Sequence, residues 1–476
     1  MDQSSFRKYG HQLIDWMADY LDNLQENPEL YPVKSQVAPR AIINRLPLQA
    51  PLKGEKFSKI LADFEDIIIP GITHWQHPSF FAYFPANSSR ISVLAEMLTA
   101  TLGAQCMSWE TSPSATELEE RVMEWVRDMI GLPKDFCGVI QDTASTSTIC
   151  SLLTAREKIT DYEVNSTGLF RKKILATYCS TETHSSIEKA VKIIGLGKKN
   201  IRKIVVDENY AMNPIALEEA IKSDIDNGII PMAVVATIGT TGSTAIDPLK
   251  KIGEICDKYN LWLHVDAALA GTALVLPEKR WMIDGINYVD TFVFNPHKWM
   301  FTNFDCSAYF IKDPEGLVRT FEILPEYLKT KATGVRNYRD WGLQLGRRFR
   351  ALKLWWVIRN YGVEGLQQKI KYHLDLTESL KNKIDSSVEF ERLAPVPLNT
   401  ICFRYNPAHI EDEEVLNSLN EALLHQLNNT GKVYLTHTRL RGKYCLRFVI
   451  GQTEVQKTHV DTAWDLILVE TQKLST

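Results

Sequence analysis

The sequence predicts an α/β protein built on a largely parallel sheet with helices on both faces. Between residues 138 and 294, short apolar runs alternate with helical patterns, the rhythm of successive βα units. Two of those helices are announced by a cap and a proline, Asn213-Pro214 and Asp247-Pro248. Beyond residue 363 strands and helices follow in a different order, which predicts a smaller α+β domain with an antiparallel sheet. The expected organisation is an N-terminal helical arm over 1–86, a large domain over 87–362 and a small domain over 363–476.

In chain order, Leu13, Ile14, Met17, Tyr20, Leu21 and Leu24 recur at helical spacing, so the chain opens on an amphipathic helix. The proline-bearing stretch 27–51 reads as an extended arm, apt to wrap a second copy of the chain. His74 and His77 have H-x-x-H spacing, but Pro78 follows at once and no third ligand is visible; loop packing is the reading, and no metal is expected. Ser114-Ala-Thr-Glu117 has capping-box spacing and opens a helix closed by Gly131 and Pro133. Strands are then expected at 138–140, 174–178, 204–206, 232–237, 261–265 and 291–294, with helices from about Ser145, Ser185, Pro214 and Pro248. After Phe301 the alternation lapses. Residues 323–346 form a long charged stretch that reads as a mobile functional loop. Arg347, Arg348 and Arg350 start the next helix, where ion pairing is the safer reading over an anion clamp.

A chain of 476 residues, 45% hydrophobic, can bury a large core and more than one domain. A net charge of -4 without a basic stripe argues against nucleic acid and anionic membranes as partners. The eight cysteines are scattered without C-x-x-C spacing, so neither a zinc site nor a disulfide framework is indicated. No signal-peptide pattern or membrane-length apolar run is present, which leads to the expectation of a cytoplasmic protein.

In open α/β sheets ligands bind beyond the carboxyl ends of the strands. Five expected strand ends carry reactive residues. Thr143-Ala144-Ser145 opens a helix whose N–H groups suit a phosphate. His184 leads the next helix, Thr240 and Thr241 follow the strand ending near Ile238, and Asp266 follows Val265. Lys298 follows Thr291–Phe294 and the breaker Asn295-Pro296. The apolar Trp299, Met300, Phe301 and Phe304 around it would depress its pKa towards a nucleophilic amine able to form a Schiff base. Cradle, imidazole, hydroxyl, carboxylate and amine on one edge are the parts needed to hold pyridoxal 5'-phosphate, the carboxylate keeping the pyridine nitrogen protonated.

The sequence resembles the pyridoxal-phosphate-dependent group II decarboxylases, most nearly the bacterial-type aromatic L-amino-acid decarboxylases. The resemblance rests on seven separated stretches: His77–Pro85, Ser108-Trp109 with Ser112–Glu119, Thr183–Ser186, His264–Ala268, Asn295–Trp299, Tyr338–Trp341 and Gly346–Arg350. It implies a fold-type I homodimer with shared active sites. The cofactor would be carried on Lys298, with Asp266 at the pyridine nitrogen, Ala268 beneath the ring and His184 stacked upon it. Phosphate or ring contacts would come from Ala144, Ser145, Thr241, Asn295 and His297. Trp75, Tyr83, Phe84 and Pro85 would wall the substrate ring, with Met107, Ala86 and Gln105 at variable wall positions. Tyr338 matches the tyrosine that protonates the substrate carbanion.

The chain departs from the family pattern at Asp142, where glycine is commoner, at Thr146, where an acidic residue is common, and at Leu269, where Tyr or Trp often follows Asp-Ala-Ala. The implied activity is decarboxylation of an aromatic L-amino acid of the tryptophan, tyrosine, phenylalanine or dopa type to its arylalkylamine. Three alternatives remain. An aromatic aldehyde synthase usually carries Phe where Tyr338 stands. The apolar Phe80–Pro85 wall disfavours a non-aromatic substrate. A non-catalytic relative would have no need of Lys298, Asp266, His184 and Tyr338 together.

Overall fold

The computed structural model describes residues 2–169, 173–323 and 334–474. Two compact units divide the chain: Met1–Pro85, Leu376–Leu393 and Ile401–Thr476 form the first, Ala86–Asp375 and Ala394–Thr400 the second.

The second unit contains a sheet of seven strands among the described residues: β1 (Cys137–Gln141), β2 (Leu175–Ser180), β3 (Ile201–Ile204), β4 (Ile230–Thr237), β5 (Trp262–Asp266), β6 (Thr291–Phe294) and β7 (Ser307–Ile311). Their order is β1-β7-β6-β5-β4-β2-β3. Pairings from β3 through β6 are parallel, and β7 is antiparallel to both β6 and β1. Strands β1 and β6 therefore run the same way, and the carboxyl ends of β1 through β6 share one edge. Strands β2, β5, β6 and β7 are buried at every position, as expected of a sheet covered on both faces.

Strand β7 lies beyond Phe301, past the end of the alternation read from the sequence. It is a short return strand supplied without a crossover helix, so it lacks the βα rhythm. Two caps also differ from expectation. Ser112, not Ser114, is the N-cap of the helix Pro113–Met129, with Pro113 in its first turn. Pro248 caps the helix Leu249–Tyr259. Asp247 is instead buried, its carboxylate accepting from Met212 N and Thr237 N, 2.7 Å each. Asn213 does cap Pro214–Asp226, accepting from Ile215 N and Ala216 N.

In the first unit, β8 (Phe390–Arg392), β9 (Thr400–Tyr405), β10 (Thr436–Leu440) and β11 (Lys443–Val449) form a sheet of order β10-β11-β9-β8. Strand β10 pairs with β11, and β8 with β9, antiparallel. The N-terminal segment belongs to this unit. Its extended stretches bury Val33, Phe80 and Ala82 together against Tyr434 and bind the later chain by backbone hydrogen bonds, Val33 N to Gly431 O (2.8 Å), Phe81 N to Tyr434 O (2.9 Å) and Val449 N to Phe81 O (3.0 Å). The opening helix Gln3–Glu26 is capped by Asp2, whose carboxylate accepts from Ser5 N. Among the described residues no helix is long and apolar enough to cross a membrane.

Candidate active site

Five of the six parallel strands that end on the common edge of the large sheet, all but β3, are followed by one of the expected residues. Asn295-Pro296 stops β6 and starts the single turn Pro296–Trp299, which sets Lys298 one step past the strand, its N–H on Asn295 O at 2.9 Å. Trp299, Met300 and Phe301 are fully buried, and Trp299 Nε1 donates to His373 Nδ1 at 2.9 Å. Lys298 keeps part of its surface accessible, yet this packing desolvates the amine and holds its pKa below the ordinary lysine value, against the opposing pull of Asp266. Phe304 does not share in this packing: it is 59% exposed and lies against His297, ring centroids 4.6 Å apart.

Asp266 ends β5 almost completely buried, and its Oδ1 accepts from Ala268 N at 3.1 Å. Its register partner on β4 is Thr237, and Ile238 N donates to its backbone carbonyl. His184 is the N-cap of the helix Ser185–Ile193, with Nδ1 accepting from Ser186 N at 3.2 Å. That bond leaves the ring proton on Nε2 and orients an imidazole whose surface is exposed. Burial lowers the His184 pKa; Asp266 opposes the shift and Lys298 adds to it. These influences place amine, carboxylate and imidazole within electrostatic reach of one another.

At the end of β1, Thr143 caps the helix Ala144–Ile159, its hydroxyl accepting from Thr146 N at 3.5 Å. The first N–H groups of this four-turn helix point out of its N-terminus beside Ala144 and Ser145, both partly exposed. After β4, the turn 239–245 is closed by Thr240, whose Oγ1 accepts from Ala245 N at 3.0 Å, and it leaves Thr241 exposed. Asn295 is buried, and its Oδ1 has no hydrogen-bond partner among the described residues. The Nδ1 of His297 accepts from Cys306 N at 2.8 Å; burial pushes its pKa down to about 3, so the ring is neutral with its proton on Nε2.

Tyr338 begins the short turn Tyr338–Asp340 and is 1% exposed, its ring edge-on to Trp341 with centroids 5.4 Å apart and 4.8 Å from the Arg347 guanidinium. The charged side chains that act on it most are Glu119, Arg336 and Arg347. The loop expected over 323–346 falls partly outside the described residues. All three arginines of the helix start are ion-paired: Arg347 with Glu119, Arg348 with Glu96 and Asp305, Arg350 with Asp305. Sequence reasoning gave Gln141 no role, placed Glu119 only within a family-like stretch and took Asp247 for a helix cap, because the partners of all three are distant in sequence.

The expected wall residues Trp75, Tyr83, Phe84 and Pro85 belong to the first unit, where the Trp75 and Tyr83 rings stack with centroids 5.7 Å apart and both are exposed. Met107 is in the second unit, partly buried, its carbonyl accepting from Arg339 N at 2.8 Å.

Residues 39–406 match the pyridoxal-dependent decarboxylase conserved domain. The chain is 41% identical to phenylacetaldehyde synthase of Arabidopsis thaliana, over all of this chain and 97% of the relative. It is 40% identical to tryptophan decarboxylase 2 of Oryza sativa subsp. japonica, over all of this chain and 96% of the relative. Among solved structures, tryptophan decarboxylase of Catharanthus roseus in complex with L-tryptophan superposes with a TM-score of 0.93 at 36% identity, covering 100% of this chain and 99% of that one.

Proposed function

This chain belongs to the pyridoxal-dependent decarboxylase family, and on that footing we propose that it converts an aromatic L-amino acid to its arylalkylamine and carbon dioxide. The observation that carries this reading is the convergence of Lys298, Asp266 and His184 on one sheet edge. The donor set suits pyridoxal 5'-phosphate: a desolvated amine, a buried carboxylate, an oriented imidazole, the open N-terminus of Ala144–Ile159 and an unsatisfied amide oxygen at Asn295.

When bound, the cofactor supplies an electron sink for the bond to the carboxyl group. Lys298 offers the amine that carries it. Asp266 would keep a proton on the ring nitrogen, its burial strengthening that pairing. His184 would offer its imidazole and Nε2–H to the cofactor ring. Ala144, Ser145, Thr241, Asn295 and His297 Nε2–H would hold the phosphate and ring substituents, with Ala268 contributing to the ring site. Tyr338 delivers the proton to Cα; burial holds its phenol well above the ordinary value, so it keeps that proton through the working pH range. Tyr338 is fully buried here, so delivery requires it to leave its resting contacts with Trp341 and Arg347.

The aromatic substrate class is supported by the tryptophan-decarboxylating relatives. A homodimer is the proposed assembly. Leu94, Met97, Leu98 and Leu102 expose one apolar side of the helix Arg90–Leu102, and Leu48 and Leu52 are wholly exposed, as surfaces awaiting a second copy would be.

A second reading is favoured by the phenylacetaldehyde synthase relative: decarboxylation followed by two-electron oxidation with O2, giving hydrogen peroxide, and hydrolysis by water, giving the aldehyde and ammonia. A product screen over tryptophan, tyrosine, phenylalanine, dopa, histidine and glutamate separates the readings. Amine without peroxide from an aromatic substrate is expected; aldehyde with stoichiometric peroxide would establish the second reading, and turnover of glutamate alone would remove the aromatic one. Tyr338→Phe should divert an amine-forming enzyme towards aldehyde.

A further inference from the structure

Asp142 stands between the last residue of β1 and the cap Thr143, where glycine is commoner in the family that the chain resembles. Its Oδ1 accepts from Thr143 N at 2.6 Å and from Thr143 Oγ1 at 3.3 Å, so the carboxylate lies at the N-terminus of the helix Ala144–Ile159. Its Oδ2 accepts from Gln344 Nε2 at 3.0 Å. The neighbouring Gln141 donates from Nε2 to Trp341 O at 2.9 Å, and a Cβ on Gly342 would come within 2.7 Å of that same Nε2. Two consecutive side chains at the end of β1 thus hold the segment 341–344, three residues beyond Tyr338. Arg350 adds positive charge near Asp142, although its own guanidinium is committed to Asp305 at 2.9 Å.

A helix N-terminus offers a limited positive field, and a carboxylate placed there draws on the field that a phosphate would use. Gln344 disperses part of the Asp142 charge by hydrogen bonding. We infer that Asp142 is a positioning residue that couples cofactor affinity to the Tyr338 segment: it opposes the phosphate at the Ala144–Ile159 N-terminus, and the Gln344 bond relieves that opposition when the segment is seated. Coupling of this kind is reciprocal, so a bound phosphate must also change how firmly the segment is held. The inference rests on the proposal that this helix end takes the cofactor phosphate.

The test uses the full chain stripped of cofactor and titrated with pyridoxal 5'-phosphate by absorbance. D142N should tighten binding roughly fivefold, and Q344A should weaken it by a similar factor. The D142N/Q344A double variant should match D142N alone, because Gln344 acts only through the carboxylate. Amide exchange of the peptide spanning 337–346 should slow when inorganic phosphate or the cofactor is added to the wild type, and this response should be lost in D142N. S145D, which puts a negative charge inside the cradle, tests the underlying assignment. If S145D leaves cofactor affinity unchanged, the helix end does not hold the phosphate. If S145D abolishes binding while D142N binds no tighter than wild type, or Q344A is silent, the coupling through Asp142 is overturned and the cradle stands.

Discussion

Glu119 and Arg347 form a bidentate ion pair inside the second unit, Nη2 to Oε1 at 2.6 Å and Nη1 to Oε2 at 3.1 Å, and the same guanidinium lies against the ring of Tyr338. Both side chains are at most 5% exposed. Arg347 also donates to Ile140 O and Cys106 O, and Glu119 accepts from Ile140 N, so the pair is fully engaged without solvent. Removing one partner of such a pair leaves a buried charge, which costs about 3–5 kcal/mol, whereas replacing both by apolar side chains of similar volume is often neutral. E119L and R347M should each lower the unfolding free energy by about that amount, and E119L/R347M should recover most of it. Urea unfolding followed by circular dichroism measures this; single variants within about 1 kcal/mol of wild type would mean the pair is effectively solvated.

His264 is fully buried on β5, with Nδ1 against Thr291 Oγ1 at 2.9 Å and Nε2 against Thr148 Oγ1 at 3.2 Å. Burial pushes its pKa down to about 4. Between that value and the ordinary 6.5 the unfolded chain binds a proton and the folded chain does not, so this residue removes stability as pH falls through 6.5, and the loss levels off below about 4. Asp247 and Asp290, whose carboxyls burial raises to about 7 and about 6, act in the opposite sense: folding is favoured as they take up protons. The measurable quantity is therefore a difference. Between about pH 7.5 and about pH 5.5, H264N should lose about 1.4 kcal/mol less stability than wild type, and equal losses would show that His264 titrates normally.

How far these features were legible depends on the range of the interactions behind them. Asn213-Pro214 was readable because a cap acts within three residues. Asp247-Pro248 looks the same locally, but two backbone N–H groups from other segments claim the Asp247 carboxylate, so the local motif misleads. Lys298, Asp266 and His184 were readable because a parallel sheet brings successive strand ends to one edge whatever the side chains between them. Strand β7 was not, since its place between β1 and β6 is set by pairing over long sequence separation. The resting position of Tyr338 was equally hidden: it depends on Arg347 and Glu119, which no spacing rule connects.

Gly271, after β5, packs directly against Phe294 at the end of β6. A Cβ built there would meet Phe294 Cβ at 2.3 Å and Cγ at 2.7 Å. Phe294 is fully buried and immediately precedes Asn295, so it cannot move without moving the turn that carries Lys298. G271A should cost about 1–3 kcal/mol in stability through overpacking. It should also weaken cofactor binding, read as a higher concentration for half-maximal absorbance change, whereas G10A, at a position with no atom within 4 Å, should leave that binding unchanged. A G271A protein with wild-type stability would show that the strand end has slack that the packing does not suggest.

Asp266 has two separable duties towards the edge of the sheet. It is the charge that opposes desolvation of Lys298, and in the proposed function it holds the proton on the cofactor ring nitrogen. D266N keeps the shape and the contact with Ala268 N but removes the charge. If the ring-nitrogen duty is the one that matters for turnover, D266N should still carry the cofactor on Lys298, trapped by borohydride reduction and found on the Lys298 peptide by mass spectrometry, while kcat falls by roughly 10²–10³. K298A should lose both the trapped adduct and turnover. Should D266N abolish trapping as completely as K298A does, Asp266 would act mainly on the state of the lysine, and the division of labour between carboxylate and amine would have to be redrawn.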